Sequence, residues 1–169
     1  VLVAGVNFGR LGFLTATKLE EKCDRFVDNL IANNFSIIER ATLKVSSKEI
    51  DQSFFAYALN EISIHRNDAS MLSIDLKVNG LSLPTYWSDG IIVATPTGST
   101  AYNLSVGGPL VTPDSKVTII SPIAPHNLNV RPLIVPEGSS VEIVTHSRSG
   151  YYTLNVDNRD IRLSCEYPL

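Results

Sequence analysis

Leu72, Ile74, Leu76 and Val78 alternate with Ser73, Asp75 and Lys77, and Asn79-Gly80 follows at once. A period of two gives an extended chain one apolar and one polar face. An Asn-Gly pair supplies the φ > 0 that both central positions of a tight hairpin turn require. The segment therefore predicts a half-buried strand entering a hairpin, with residues 81–86 returning. The same reading predicts strands over 35–45 and 54–66, joined by the polar segment 46–52. It continues over 117–121, 133–135, 141–146, 151–156 and 159–166, with Asp157-Asn158 as a second hairpin turn of weaker type. Many short strands about ten residues apart predict a mainly β fold in which two sheets stack as a sandwich.

The opening of the chain departs from that pattern. Residues 1–6 read as a buried strand entering the glycine-bearing turn 7–12. Thr17-x-x-Glu20 then matches a capping box. Leu19, Cys23, Phe26, Val27, Leu30 and Ile31 recur at helical spacing, opposite Glu20, Glu21, Asp24, Arg25 and Asp28. Asn33-Asn34 is the expected stop. The fold class is thus α+β overall, a β-sandwich-like domain preceded by one strand and one amphipathic helix.

At 169 residues and 44% hydrophobic, the chain can build one sizeable core, or one domain with a piece of another. Its net charge is −3 and its Lys and Arg residues form no run, so the electrostatic footprint of a nucleic-acid binder is missing. No apolar stretch approaches the 18 or more residues of a membrane span. A cytoplasmic location follows by default, and a disulfide between Cys23 and Cys165 is not expected there. Cys23 falls on the apolar helix face and reads as a buried free thiol. Neither cysteine belongs to a CxxC pair and the three His lie well apart, so no metal site is read.

Function concentrates in residues 88–109. The apolar run 91–94 reads as a buried strand that delivers the chain into Thr95-Pro-Thr-Gly-Ser-Thr100, with four hydroxyls in six residues. Such a turn offers donors and acceptors to a polar ligand while a rigid strand holds it in place. Tyr102 follows with a flat face on which a planar ring can stack. Earlier, Asn60-Glu61 interrupts an apolar strand. An amide there supplies donor and acceptor together, and a carboxylate can accept from two vicinal hydroxyls.

Four segments in the same order resemble the NAD kinases. They are Gly5-Val-Asn-Phe-Gly-Arg-Leu-Gly-Phe-Leu14, Asn60-Glu61 within Ala58-Leu-Asn-Glu-Ile62, the stretch from Asp89-Gly90 through Thr95-Pro-Thr-Gly-Ser-Thr-Ala-Tyr102 to Gly107-Gly108-Pro109, and Pro122-Ile-Ala-Pro-His126 with Arg131-Pro132. The resemblance runs from Ala4 to Asp157. It implies phosphorylation of the adenosine-ribose 2′-hydroxyl of NAD to give NADP, with ATP or polyphosphate as donor and a divalent cation, Mg2+ for choice.

The resemblance also implies contacts residue by residue. Asn60 and Glu61 touch the dinucleotide, and Thr97, Thr100, Ala101, Tyr102, Asn103 and Ser105 match the loop around adenine and the nicotinamide half. Asn103 stands where many relatives carry Ser. Phe13 matches an aromatic that lines the pocket. Asp89 matches a residue that reaches a dinucleotide held mainly by another subunit, and Ala124 one that approaches from a neighbour. A homo-oligomer, dimer or tetramer, with shared sites is therefore implied. His126 reads as a structural turn residue. Val156-Asp157-Asn158-Arg159 resembles the family's Asp-Gly-Gln segment, with Asn tolerable where φ > 0 is needed. Arg159 departs from the amide there, leaving its contact open.

The family's upstream Gly-Gly-Asp-Gly-Thr segment, whose Asp is the general base, has no counterpart in this sequence. Residues 1–14 are accordingly read as the end of an N-terminal α/β domain and 15–169 as the C-terminal β-rich dinucleotide-binding domain. No catalytic residue is assigned, and the chain alone is expected to be inactive. Two other readings stay open: a non-catalytic nucleotide-binding or assembly module, and a lipid kinase of the diacylglycerol-kinase type. The second would call for an apolar cleft, whereas the loop is dense in hydroxyls and amides.

Overall fold

The computed structural model describes residues 2–7, 17–18 and 23–169, with backbone alone at 17, 18 and 23. The chain divides into two compact units, Val1–Glu39 and Arg40–Leu169. In the first, β1 (Val6–Asn7) pairs in parallel with β2 (Thr17–Lys18), and α1 spans Cys23–Ile31. The helix stops where expected, for a visible reason. Asn33 adopts φ +52°, the Asn34 N–H returns to the Asn29 carbonyl at 2.8 Å and the Asn33 N–H to Leu30 at 3.2 Å. This is a Schellman closure, with Asn taking the left-handed position that glycine usually fills. The strand expected over 1–6 is reduced to Val6–Asn7. Of the expected apolar helix face, Val27 is 49% and Ile31 76% exposed, while Leu19 and the Cys23 side chain, like Glu20 of the capping box, lie outside the described residues.

The second unit holds twelve strands among the described residues. They are β3 (Leu43–Lys44), β4 (Tyr57–Ala58), β5 (Glu61–Arg66), β6 (Leu72–Val78), β7 (Leu81–Ser82), β8 (Tyr86–Ser88), β9 (Gly90–Ala94), β10 (Val117–Ile123), β11 (Leu133–Pro136), β12 (Val141–His146), β13 (Tyr151–Val156) and β14 (Arg159–Ser164). A six-stranded antiparallel sheet runs β11-β10-β9-β5-β13-β14. A four-stranded one runs β12-β6-β7, with β8 also on β6. Ile62, Ile64, Ile91, Val93, Ile120, Leu154 and Val156 from the first sheet meet Leu72, Ile74, Leu76 and Ile143 from the second in one core. Each such side chain contributes roughly 1.5–3 kcal/mol on leaving water, which makes this layer the main source of stability.

Both hairpin turns form as read. Asn79 and Gly80 take φ +50° and +81°, and Asp157 and Asn158 take +45° and +65°. The return strand 81–86 breaks after Ser82, because Pro84 has no N–H for the ladder. The chain rejoins β6 at β8. Two expected strands shrink more. Of 35–45 only Leu43–Lys44 forms a strand, continued by the Val45 N–H on the Ala56 carbonyl at 3.0 Å, and Phe35, Ile37 and Ile38 are exposed. The run 54–66 is interrupted at Leu59-Asn60, whose N–H groups turn to a side chain instead of a neighbouring strand.

β9 explains the site. All five of its residues are buried, because both faces of the sheet are covered at that point. Ile91 and Val93 face the sandwich core, while Ile92 and Ala94 join Ile119 under Tyr102, Val106, Val111 and Ile123. The cover is a 3₁₀ turn, Thr97–Thr100, followed by the one-turn helix α2, Tyr102–Ser105. Further along the same outer face, β5 presents Glu61, Ser63 and His65, and β13 presents Thr153 and Asn155. The outer face thus passes from apolar under α2 to polar beyond it.

Candidate functional site

Two chain segments meet at the end of β9. Thr95, just past the strand, donates its N–H to the Asn60 carbonyl at 2.9 Å and its hydroxyl to the Leu59 carbonyl at 2.6 Å. The same hydroxyl accepts the Gly98 N–H at 3.1 Å. Gly98 lies flat against Asn60, where a Cβ would stand 2.1 Å from the Asn60 carbonyl oxygen. Only glycine permits that approach. The hydroxyl-rich bend and the Asn60-Glu61 pair are therefore one interlocked structure.

Glu61 completes the junction. The backbone N–H of Tyr102, at the start of α2, acts on the Glu61 carboxyl and favours the ionised form. The residue is 8% exposed, and its Oε2 is buried without a hydrogen-bond partner. Burial, and secondarily the Asp157 carboxylate, push its pKa up to about 7 against the opposing Tyr102 N–H. An orphaned buried acceptor costs free energy that a proton or an incoming donor can offset.

Asp157 is the residue that sequence reasoning missed. From the turn between β13 and β14, its Oδ2 accepts the Leu59 N–H at 2.5 Å. Its Oδ1 accepts the N–H groups of Asn60 at 2.9 Å and Glu61 at 3.1 Å. One carboxylate thus fixes the three residues that carry the polar pair. The traces in the sequence were an Asp-Asn hairpin turn and a likeness to the family's Asp-Gly-Gln segment, and neither pointed to partners nearly a hundred positions away.

Asn103 is fully buried, and its side chain is spent within the loop. Its amide donates to the carbonyls of Ser99 at 3.3 Å and Pro109 at 3.0 Å, while its oxygen accepts the Ser121 hydroxyl at 2.7 Å. Gly108 presses on it so closely that a Cβ would stand 2.0 Å from that oxygen. Asn103 holds the loop together from inside. Around it Thr97, Ala101 and Tyr102 are half-buried, while Thr100 and Ser105 are exposed. The Thr100 hydroxyl closes the 3₁₀ turn on the Thr97 carbonyl at 3.3 Å.

Asp89 and Ala124 lie elsewhere. Asp89 precedes β9 and pairs with Arg66 Nε at 3.1 Å, and its N–H reaches the Ile123 carbonyl at 2.9 Å. Ala124 follows, exposed and held at φ +44°. A non-glycine residue in that region stores strain. The five residues of β9 separate this pair from the Glu61 end by roughly 17 Å. Phe13 lies outside the described residues. His126 is exposed, its N–H on the Trp87 carbonyl at 2.7 Å. Arg159 donates through Nη2 to the Tyr57 carbonyl at 2.6 Å and lies 5.0 Å over the Phe55 ring. Among the described residues no group of three His, Cys, Asp or Glu could hold a metal ion, and no helix is long and apolar enough to cross a membrane.

Residues 59–165 match the family model of the ATP-NAD kinase C-terminal domain. The chain is 41% identical over 160 residues to the NAD kinase of Flavobacterium psychrophilum, covering 93% of this chain and 54% of that protein. It is 42% identical over 158 residues to that of Cytophaga hutchinsonii, with the same coverage. It spans about half the length of these curated relatives. Among solved structures, yeast NADH kinase complexed with NADH superposes with a TM-score of 0.82 at 33% identity, over 92% of this chain and 46% of that one. An NAD kinase from Archaeoglobus fulgidus in complex with ATP gives 0.81 at 29% identity, over 98% and 63%.

Proposed function

This chain belongs to the NAD kinase family, matching its C-terminal domain, and on that premise we propose that it grips NAD for phosphorylation of the adenosine-ribose 2′-hydroxyl. The observation that carries the reading is the interlock of Asn60-Glu61 with the Thr95–Tyr102 bend. It gathers an amide, a buried carboxylate with an orphaned oxygen, two hydroxyls and a flat ring at one sheet end. A dinucleotide needs that set: acceptors for vicinal ribose hydroxyls, donors and acceptors for ring edges, and an apolar face for a base. Solved relatives hold NADH in one case and ATP in another.

In this reading each residue takes a role. Glu61 and Asn60 take sugar hydroxyls or a base edge, Tyr102 stacks, and Thr97, Thr100, Ala101 and Ser105 line the loop. Asn103 acts through the loop it ties. Asp89 and Ala124, at the far end of β9, serve the site of a second subunit, so the assembly is a homo-oligomer with shared sites. The phosphoryl donor is ATP or polyphosphate, and a divalent cation would arrive on its phosphates. The described residues do not assemble a metal site, so no step is assigned to one. The setting is cytoplasmic, where NAD and ATP are both at hand.

Calorimetric titration of the 169-residue chain with NAD tests the reading. The chain should saturate, and Asn60→Ala and Tyr102→Ala should each weaken binding by about 1–3 kcal/mol through a lost hydrogen bond or stacking face. Equal affinities in all three proteins would remove both residues from the site. Absence of saturation would remove the proposal.

A further inference from the structure

His65 is used by none of the interactions assigned above, yet it lies directly against the proposed stacking residue. Its imidazole and the Tyr102 ring are nearly parallel, 12° between planes with centroids 5.7 Å apart, an offset stack. The imidazole is itself fixed, since Nε2 and the Ser63 hydroxyl are 2.8 Å apart. Ser63 and His65 share the outward face of β5 with Glu61, and opposite His65 on β9 stands Gly90, which has no side chain. Burial lowers the imidazole pKa against a smaller opposing pull from Asp160, which keeps the ring uncharged near neutral pH. Tyr102 sits on a helix of only four residues, too short to set the attitude of its ring unaided. One Tyr face is thereby covered by His65; the residue also packs on Ile92, Ala94 and Ile119, yet it stays only half-buried, which leaves ring surface open to a ligand.

Building on the NAD-binding reading, we propose that His65 is a positioning residue: it backs Tyr102 so that imidazole, phenol and one planar ring of the dinucleotide form a three-layer stack. The flat ring does the work, and the hydrogen bond to Ser63 only sets its plane.

Two substitutions separate those contributions. His65→Phe keeps a ring and loses the hydrogen bond; His65→Asn keeps hydrogen-bonding capacity and loses the ring. Titration with NAD should find His65→Phe within about twofold of wild type and His65→Asn about three- to tenfold weaker. In a Tyr102→Ala background the His65→Asn loss should vanish, because nothing remains to be backed. A reversed order of Phe and Asn, an unchanged affinity in His65→Asn, or a full loss persisting beside Tyr102→Ala overturns the role. Wild-type chain that fails to saturate overturns the NAD reading and this role with it, whereas saturation with no effect of His65→Asn overturns this role alone. The stack has its own readout in NMR. The His65 Cε1 proton should carry a ring-current shift that Tyr102→Ala abolishes, and its persistence there would also count against the proposal.

Discussion

Glu61 holds a carboxyl with a pKa of about 7 where its ordinary value is 4.5. Between those values the folded chain keeps a proton that the unfolded chain has released. Folding takes up a proton there, and stability falls as pH rises through the window. Below it the protonated acid is no burden; above it the buried carboxylate weighs in full, at an order of 1–3 kcal/mol. Glu61→Gln should therefore gain stability relative to wild type as pH goes from 5 to 8, read by urea denaturation at each pH. A difference independent of pH would mean that Glu61 ionises normally. The Asn60-Glu61 pair was legible because two polar residues in an apolar run have to be explained. Asn103 was singled out through the family resemblance, but its direction was not legible. An amide in a hydroxyl-rich loop reads as a ligand contact, whereas it is turned inward to Ser99, Pro109 and Ser121. His65 gave no signal, because nothing in the sequence says that Tyr102 folds back over β5.

At the scale of the element, strands with a strict period or a full apolar run were readable nearly to the residue: 141–146, 151–156 and 91–94 all sit in ladders. The failures share a cause. Residues 35–42 have strand-like composition without a paired neighbour, and 59–60 are drawn out of the ladder by the Asp157 carboxylate. Both outcomes depend on partners remote in sequence. Asp157→Ala tests how much that carboxylate holds. It leaves three partly buried N–H groups without acceptors, at about 1–3 kcal/mol for the worst placed, offset in part by relief of Glu61 from a neighbouring charge. The expected net loss is about 2 kcal/mol in urea denaturation, with faster amide exchange at Leu59, Asn60 and Glu61. Unchanged exchange at those amides would show that the turn holds without it. Gly98→Ala attacks the same junction from the loop side. Its Cβ cannot share space with the Asn60 carbonyl, so the bend must move off the strand. NAD affinity should fall at least tenfold, and native affinity in this variant would mean that the two segments bind independently.

At the scale of the whole molecule, the proposed contacts divide into two sets at opposite ends of one strand. Asn60 and Glu61 gather at one end of β9, Asp89 and the strained Ala124 gather at the other, and the Tyr102 ring reaches back from the first end to His65, opposite Gly90. A single dinucleotide bridging both sets within one chain would have to lie along the full strand. Two chains placed so that the Asp89 end of one meets the Glu61 end of the other need no such span. An isologous pair does this twice, by symmetry. Mixing separates the two arrangements. Chains carrying Asp89→Ala and chains carrying Tyr102→Ala each have every site damaged. Refolded together at equal amounts, random pairing makes about half the dimers mixed, and each mixed dimer holds one site with both defects and one with neither. About a quarter of all sites should then bind NAD with wild-type affinity, seen as a separate high-affinity phase in the titration. If each chain instead builds its site alone, the mixture can only average its two parents, and no high-affinity phase appears at any ratio.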